Sequence, residues 1–134
     1  HPRLGDLSHP HLPLLPHPAA IELLASAAGA LVLGNRNRAQ LPSKAYEIAC
    51  TETWALCVSE LSDDPAAAVL ERTGHAVRPA ANEAEAIAAA AEEILAREAR
   101  GERPSPAAEY SWERRIDEIA ALVEGLGGHR AGPS

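Results

Sequence analysis

Aromatic residues are scarce in this sequence, which holds two Trp, two Tyr and no Phe among 134 residues. Alanine is abundant instead, and because small side chains let helices lie close to a sheet, the composition favours an α/β fold. No apolar run is long enough to span a bilayer, and no signal peptide is visible. The length is typical of one domain with a single core.

Positive charge and cysteine are also limited. Twelve Lys and Arg stand against 19 Asp and Glu, which gives a formal net charge of −7. That balance argues against a nucleic-acid partner or an anionic membrane surface. Cys50 and Cys57 both fall in segments that we expect to be buried, so we predict two reduced core thiols in a cytoplasmic protein, with a disulfide as the alternative.

Composition divides the chain into three regions. Residues 1–17 are rich in His and Pro and predict an irregular lead-in, with residues 12–15 as a possible edge strand. Its closely placed histidines lack the spacing of metal ligands, so we expect no metal site. Residues 18–126 form the predicted folded region, and the Gly-rich residues 127–134 are predicted to be a disordered tail.

The folded region alternates between helical and strand patterns. Ser43, Asn82 and Ser111 are the predicted N-caps of three helices, and the run 30–33 is predicted to be a buried strand. This order predicts a Rossmann-like three-layer arrangement, with a mainly parallel sheet and helices on both faces. The predicted strands are 30–33, 54–58 and 75–78, and the predicted helices are roughly 18–28, 43–51, 65–73, 83–100 and 111–126.

The segment from Gly34 to Glu47 is the candidate site. It leads from the end of a predicted strand, through a polar loop, to the first turns of a helix. Exposed amides at a helix N-terminus attract phosphates, and Lys44 and Arg38 add positive charge. Glu47 is placed to accept hydrogen bonds from hydroxyl groups. Phosphate and hydroxyl together indicate a nucleotide or nucleotide sugar.

Simpler interpretations of these residues stay open. The Glu47 carboxylate could only stabilise the helix dipole. Lys44, Arg36 and Arg38 could be solvated charges.

A family resemblance appears at the same residues. The run "LVLGN…LPSKAYEIAC" (31–50) resembles the donor-binding segment of GT-B glycosyltransferases, the family 4-like group especially. The run "DDPAAAVLERTGHAVRPAANEAEAIAAAAEEIL" (63–95) is similar to the next segment of that family, and "YSWERRIDEI" (110–119) to its closing helix. The resemblance covers roughly residues 18–126, and it implies part of a C-terminal donor-binding domain.

The resemblance also implies roles for individual residues. The glutamate that Glu47 matches holds the ribose hydroxyls of the donor nucleotide, while the diphosphate lies against amides near Leu41 and Ser43. Lys44 assists the diphosphate, and Gly34 and Arg38 complete the set of donor-binding residues. The substrate would be a nucleotide-diphosphate sugar, with no metal and no cofactor. Ala39 departs from the pattern, because many members carry there a second glutamate that engages the sugar.

The resemblance implies partners as well. Such enzymes have two Rossmann-like domains, and the match begins inside the second, so we expect the chain to be inactive without an N-terminal acceptor domain. We expect the apolar stripe of helix 112–126 to pack on that domain or on a second chain. One alternative is a non-catalytic α/β binding or regulatory module derived from a glycosyltransferase. Another is a response-regulator-like protein that uses Asp63 and Asp64 as an acidic pair.

Overall fold

The computed structural model describes residues 14–39 and 42–127. Most of the predicted lead-in and tail therefore lies outside the described residues, as do two of the four positions of the possible edge strand. The other two, Leu14 and Leu15, are not in a strand. In chain order the elements are α1 (His17–Ser26), β1 (Gly29–Leu33), α2 (Ser43–Ala49), β2 (Trp54–Val58), α3 (Pro65–Arg72), β3 (Ala76–Val77), α4 (Ala84–Ala99), a short 3-10 helix (Ala108–Tyr110) and α5 (Trp112–Gly127).

The three strands form one parallel sheet in the order β1-β2-β3. In the register of the sheet, Gly29 lies opposite Trp54, and Ala55 lies opposite Ala76. Every connection between the strands contains a helix, as parallel pairing requires. The α/β class and the parallel sheet predicted from the sequence are confirmed.

Helices cover both faces of the sheet, because successive side chains of a strand point to opposite faces. On one face, Ala55 and Cys57 of β2 pack against α2 and α3. On the other face, Trp54 of β2 and Val77 of β3 pack against Ala90 and Ile94 of α4. Alanine supplies many of these contacts, which is how a chain so poor in aromatics fills its core.

Strand β1 is less buried than its sequence suggests. Leu31 and Leu33 are 61% and 65% exposed. They lie on the face covered by α4, whose buried residues pack against β2 and β3, and β1 is an edge strand. The prediction of a fully buried strand at 30–33 was therefore wrong, although the strand itself is present.

Helix starts only partly follow the predicted caps. The Ser111 hydroxyl accepts a hydrogen bond from the Arg114 amide (3.3 Å), as predicted. The other two predictions were wrong: Pro42 and Glu83 occupy the N-cap positions of α2 and α4, and neither makes a side-chain capping bond. Pro42 is extended at φ −64° and ψ 129°, so Ser43 is already the first helical residue.

Helix α3 has signals at both ends. The Asp64 carboxylate accepts a hydrogen bond from the Ala67 amide (2.9 Å) at its start. At its end, Gly74 adopts a φ of 76°, a conformation that glycine tolerates far better than other residues. This turn brings the His75 amide within 2.8 Å of the Leu70 carbonyl, which satisfies an otherwise free group at the helix end.

Helix α5 leaves its apolar side exposed. Trp112 is 74% exposed, and the later apolar residues at helical spacing are also exposed: Ile116, Ile119, Leu122 and Val123. Among the described residues, no helix is long and apolar enough to cross a membrane.

Candidate functional site

A cavity of about 670 Å³ lies between α1, α2 and the beginning of α5. Its volume falls in the range of small-molecule sites, roughly 300–1,000 Å³. The lining is mixed, with apolar and aromatic walls and a few charged groups. It consists of His17, Ile21, Ser43, Tyr46, Glu47, Cys50, Thr51, Tyr110, Ser111, Trp112, Glu113 and Arg115.

Helix α2 contributes its outward face to this cavity. Four of the lining residues follow the spacing i, i+3, i+4, i+7, which places them on one side of a helix: Ser43, Tyr46, Glu47 and Cys50. The opposite side, which carries Ala45, Ile48 and Ala49, is buried in the core. The packing of the apolar side against α3 and the sheet therefore fixes the orientation of the polar side.

Glu47 lies in the cavity wall next to two basic side chains, one of which is paired with it directly. Its side chain is 22% exposed, and its Oε2 atom lies 2.5 Å from Lys44 Nζ. The other oxygen, Oε1, lies 3.8 Å from Nε2 of His17. Because a carboxylate has about four lone-pair sites, Glu47 keeps acceptor capacity for a ligand.

Aromatic rings form the next part of the wall. The rings of Tyr46 and Tyr110 are 5.0 Å apart between centroids and tilted by 56°. The Tyr110 hydroxyl accepts a hydrogen bond from Arg72 Nη2 (2.8 Å), and the Arg115 guanidinium lies 5.8 Å from the Tyr110 ring centroid. Tyr110 is thus fixed at several points, whereas Trp112 is largely exposed.

Two free thiols lie in different surroundings. Cys50 is half-buried in the cavity wall, and its pKa is raised by burial, with the carboxylates of Glu109 and Glu113 adding to the effect. Cys57 is buried in the core, and burial raises its pKa to about 12. The structure confirms two unpaired thiols and contradicts the alternative of a disulfide. The prediction that both thiols lie in the core was wrong for Cys50, because this residue is on the side of α2 that faces the cavity.

The structure brings together only part of the predicted site. Ser43 and Glu47 line the cavity, and Lys44 reaches it through its ion pair with Glu47. Gly34 and Arg38 do not line it. Leu41 lies outside the described residues.

Gly34 has a structural role at the end of β1. A Cβ atom on Gly34 would lie 2.2 Å from Ser59 Oγ and 2.5 Å from Asp64 Oδ2. These two side chains hydrogen-bond to each other at 3.1 Å. A glycine is therefore required here by close approach.

Both carboxylates of the acidic pair, Asp63 and Asp64, already have partners within the protein. Asp63 pairs with Arg38 (3.1 Å), and the almost fully buried Asp64 caps α3. The neighbouring cation Arg36 pairs in turn with Glu60 (3.0 Å), which lowers the pKa of that carboxyl group. In the part of the chain that the structure describes, no group of three His, Cys, Asp or Glu side chains could hold a metal ion.

Sequence reasoning missed the residues that distant segments bring to the cavity. His17 comes from the start of α1, and Tyr110 and Trp112 come from a segment more than sixty positions after Glu47. The sequence offered one signal, which is the scarcity of aromatic residues. Three of the four in the chain line this cavity, and only Trp54 does not.

Comparison with protein families, with curated proteins and with solved structures gives no match to this chain. The resemblance to glycosyltransferases therefore rests on the pattern of residues, and the cavity beside α2 is the feature of the fold on which a function can be argued.

Proposed function

We propose that the chain binds a nucleotide-diphosphate sugar, as the donor-binding part of a glycosyltransferase that transfers the sugar to an acceptor. The observation that carries this proposal is the Glu47 carboxylate, fixed in the wall of a cavity of suitable size. Ribose presents two neighbouring hydroxyl groups, and a carboxylate accepts hydrogen bonds from both with its two oxygens. The resemblance assigns the same role to this position.

The diphosphate lies toward the start of α2 in this proposal. Ser43 is one turn of helix from Glu47, and its hydroxyl faces the cavity without serving as a cap. Lys44 is an exposed cation at the start of α2 and pairs with Glu47. Arg38 pairs with Asp63 and does not line the cavity, so Lys44 is the cation of the proposed site. Because surface pairs contribute little free energy, typically about 0–1 kcal/mol, Lys44 can turn part of its hydrogen-bonding capacity to a diphosphate beside Ser43 while it stays next to Glu47.

Transfer of the sugar needs more than donor binding. Developing charge on the departing diphosphate is stabilised by basic side chains and amides, and the resemblance implies that an acceptor domain contributes to this. The exposed apolar residues of α5 beyond Trp112 are the surface on which such a domain, or a second chain, packs: Ile116, Ile119, Leu122 and Val123. No cofactor enters the proposal.

A second candidate function is binding without transfer. Ala39 has no carboxylate to engage the donor sugar, which favours a non-catalytic α/β binding or regulatory module. Such a module binds a nucleotide sugar and does not transfer the sugar from it to an acceptor, even when an acceptor domain is supplied.

Calorimetric titration with UDP-glucose and GDP-mannose tests the proposal. We expect saturable binding of at least one of them, and we expect Glu47→Ala to raise its Kd roughly tenfold or more, since a hydrogen bond to a charged group contributes about 1.5–3 kcal/mol.

Glu52→Ala is the matched control, because Glu52 is exposed and does not line the cavity. Binding that is absent at millimolar ligand, or equal in Glu47→Ala and Glu52→Ala, would contradict the proposal.

A further inference from the structure

The aromatic part of the cavity stands out in a chain that has so few aromatic residues. Tyr46, Tyr110 and Trp112 line the same cavity as Glu47. The two tyrosines pack against each other, and Trp112 is exposed at the cavity wall. Trp112 is largely exposed and adds little to the core, so in the cavity that it lines together with the two tyrosines it offers a flat apolar face to a ligand.

The order of groups along α2 gives that ligand a direction. Ser43 lies four residues before Glu47, about 6 Å along the helix, and Cys50 lies three residues after it, about 4.5 Å in the other direction. The Ser43 end is polar. The Cys50 end meets the segment that carries Tyr110 and Trp112, since the Ala107 amide donates to the Ala49 carbonyl (2.7 Å).

A nucleotide also has one polar end, the phosphate chain, and one aromatic end, the base. Its ribose carries the base on one carbon and the phosphate chain on another, at opposite ends of the sugar ring. If Glu47 holds the ribose hydroxyls, the base and the diphosphate must extend from the ribose in opposite directions along α2. The polar end suits the diphosphate, and the aromatic end suits the base.

We infer that the aromatic end of the cavity binds the base of the donor nucleotide, which stacks on Trp112 beside the Tyr46–Tyr110 pair. This inference rests on the proposed function and adds to it the groups that recognise the base. Stacking on aromatic faces tolerates different bases, so purine and pyrimidine nucleotides both bind.

Calorimetry with two ligands tests the inference: a nucleoside diphosphate (UDP or ADP) and ribose 5-phosphate, which has no base. Trp112→Ala should raise the Kd of the nucleoside diphosphate roughly 5- to 150-fold, the range expected for the loss of one stacked base. Trp112→Phe keeps a flat ring and should restore binding to within roughly threefold of the original protein. The Kd of ribose 5-phosphate should not change in either variant.

Ile119→Ala is the matched control, because Ile119 is exposed on the same helix and does not line the cavity. A nucleoside diphosphate that binds Trp112→Ala as tightly as Ile119→Ala overturns the assignment of the base. So does an equal loss for ribose 5-phosphate, which would make Trp112 a residue that shapes the cavity as a whole. In both cases weakened binding in Glu47→Ala would leave the proposed function standing. If the unaltered chain binds neither ligand, both proposals fall.

Discussion

Gly34 illustrates how a single residue controls the packing at the carboxyl end of β1. A methyl group there would overlap the Ser59 hydroxyl and the Asp64 carboxylate. Because Asp64 caps α3, displacing it also weakens a helix start. We expect Gly34→Ala to lower the free energy of unfolding by about 1–3 kcal/mol, the usual cost of overpacking. Urea denaturation followed by circular dichroism measures this change.

Gly125→Ala supplies the control for that measurement. Gly125 lies inside α5, and a Cβ atom there would meet nothing within 4 Å. Alanine is preferred to glycine in a helix by roughly 0.5–1 kcal/mol, so this variant should be as stable as the original protein or more so. A Gly34→Ala variant that unfolds at the same urea concentration as the original would contradict the requirement for glycine.

The sequence predicted some residue roles and missed others for a physical reason. The cap at Ser111 was predictable because a capping hydrogen bond joins neighbours in sequence. The buried His75 was not, since its ring nitrogens contact Thr51 and Thr73, and the Thr51 contact spans 24 positions. Hydrogen bonds across such a distance depend on the fold and leave no local pattern.

At the scale of elements, helix α5 stands out because its apolar side chains are exposed to solvent. Its apolar residues from Trp112 to Val123 are exposed over about three turns, and burying each of them would contribute about 1.5–3 kcal/mol. We therefore expect the isolated chain to self-associate through this stripe when no other partner is present. Sedimentation velocity over a range of protein concentrations would show a concentration-dependent shift from monomer to dimer.

Two substitutions on α5 distinguish a specific interface from non-specific hydrophobic association. Ile119→Glu places a charge in the stripe and should return the chain to a monomer. Ala121→Glu places the same charge about 200° around the helix from Ile119 and should leave the assembly intact. If the original protein and the Ile119→Glu variant both sediment as monomers at every concentration, the stripe is not a self-association surface.

The order of helices and strands could be predicted from the sequence, whereas the burial of a given strand could not. The alternation of helices and strands follows from local hydrophobic periods, and the structure reproduces it with small shifts at the ends. The exposure of Leu31 and Leu33 follows instead from the path of α4 over β2 and β3. That path is a property of tertiary packing, so an apolar run alone could not predict it.

At the scale of the whole molecule, the candidate site is an assembly of three distant segments. The start of α1, the outward side of α2 and the beginning of α5 meet around one cavity. Only the α2 part was predictable, because Ser43, Lys44 and Glu47 share a local helical pattern. The aromatic residues of the later segment reach the cavity through contacts such as that of the Cys50 thiol with the Ala107 carbonyl (3.8 Å).

Cys50 offers the most direct test of the central claim, because its thiol lies in the wall of the cavity. Its raised pKa makes alkylation by iodoacetamide slow enough to follow by mass spectrometry. Cys57 is an internal reference, since it is buried and, with a pKa of about 12, should stay unmodified in the folded protein.

A nucleotide-diphosphate sugar in the cavity should shield Cys50. The rate of alkylation falls by a factor of one plus the ratio of ligand concentration to Kd, so a ligand at about ten times its Kd should slow it roughly tenfold. In Glu47→Ala, whose Kd should be at least roughly tenfold higher, the same ligand concentration should slow alkylation by no more than about twofold. An unchanged rate of Cys50 alkylation at millimolar nucleotide sugar, with Cys57 still unmodified, would contradict the account.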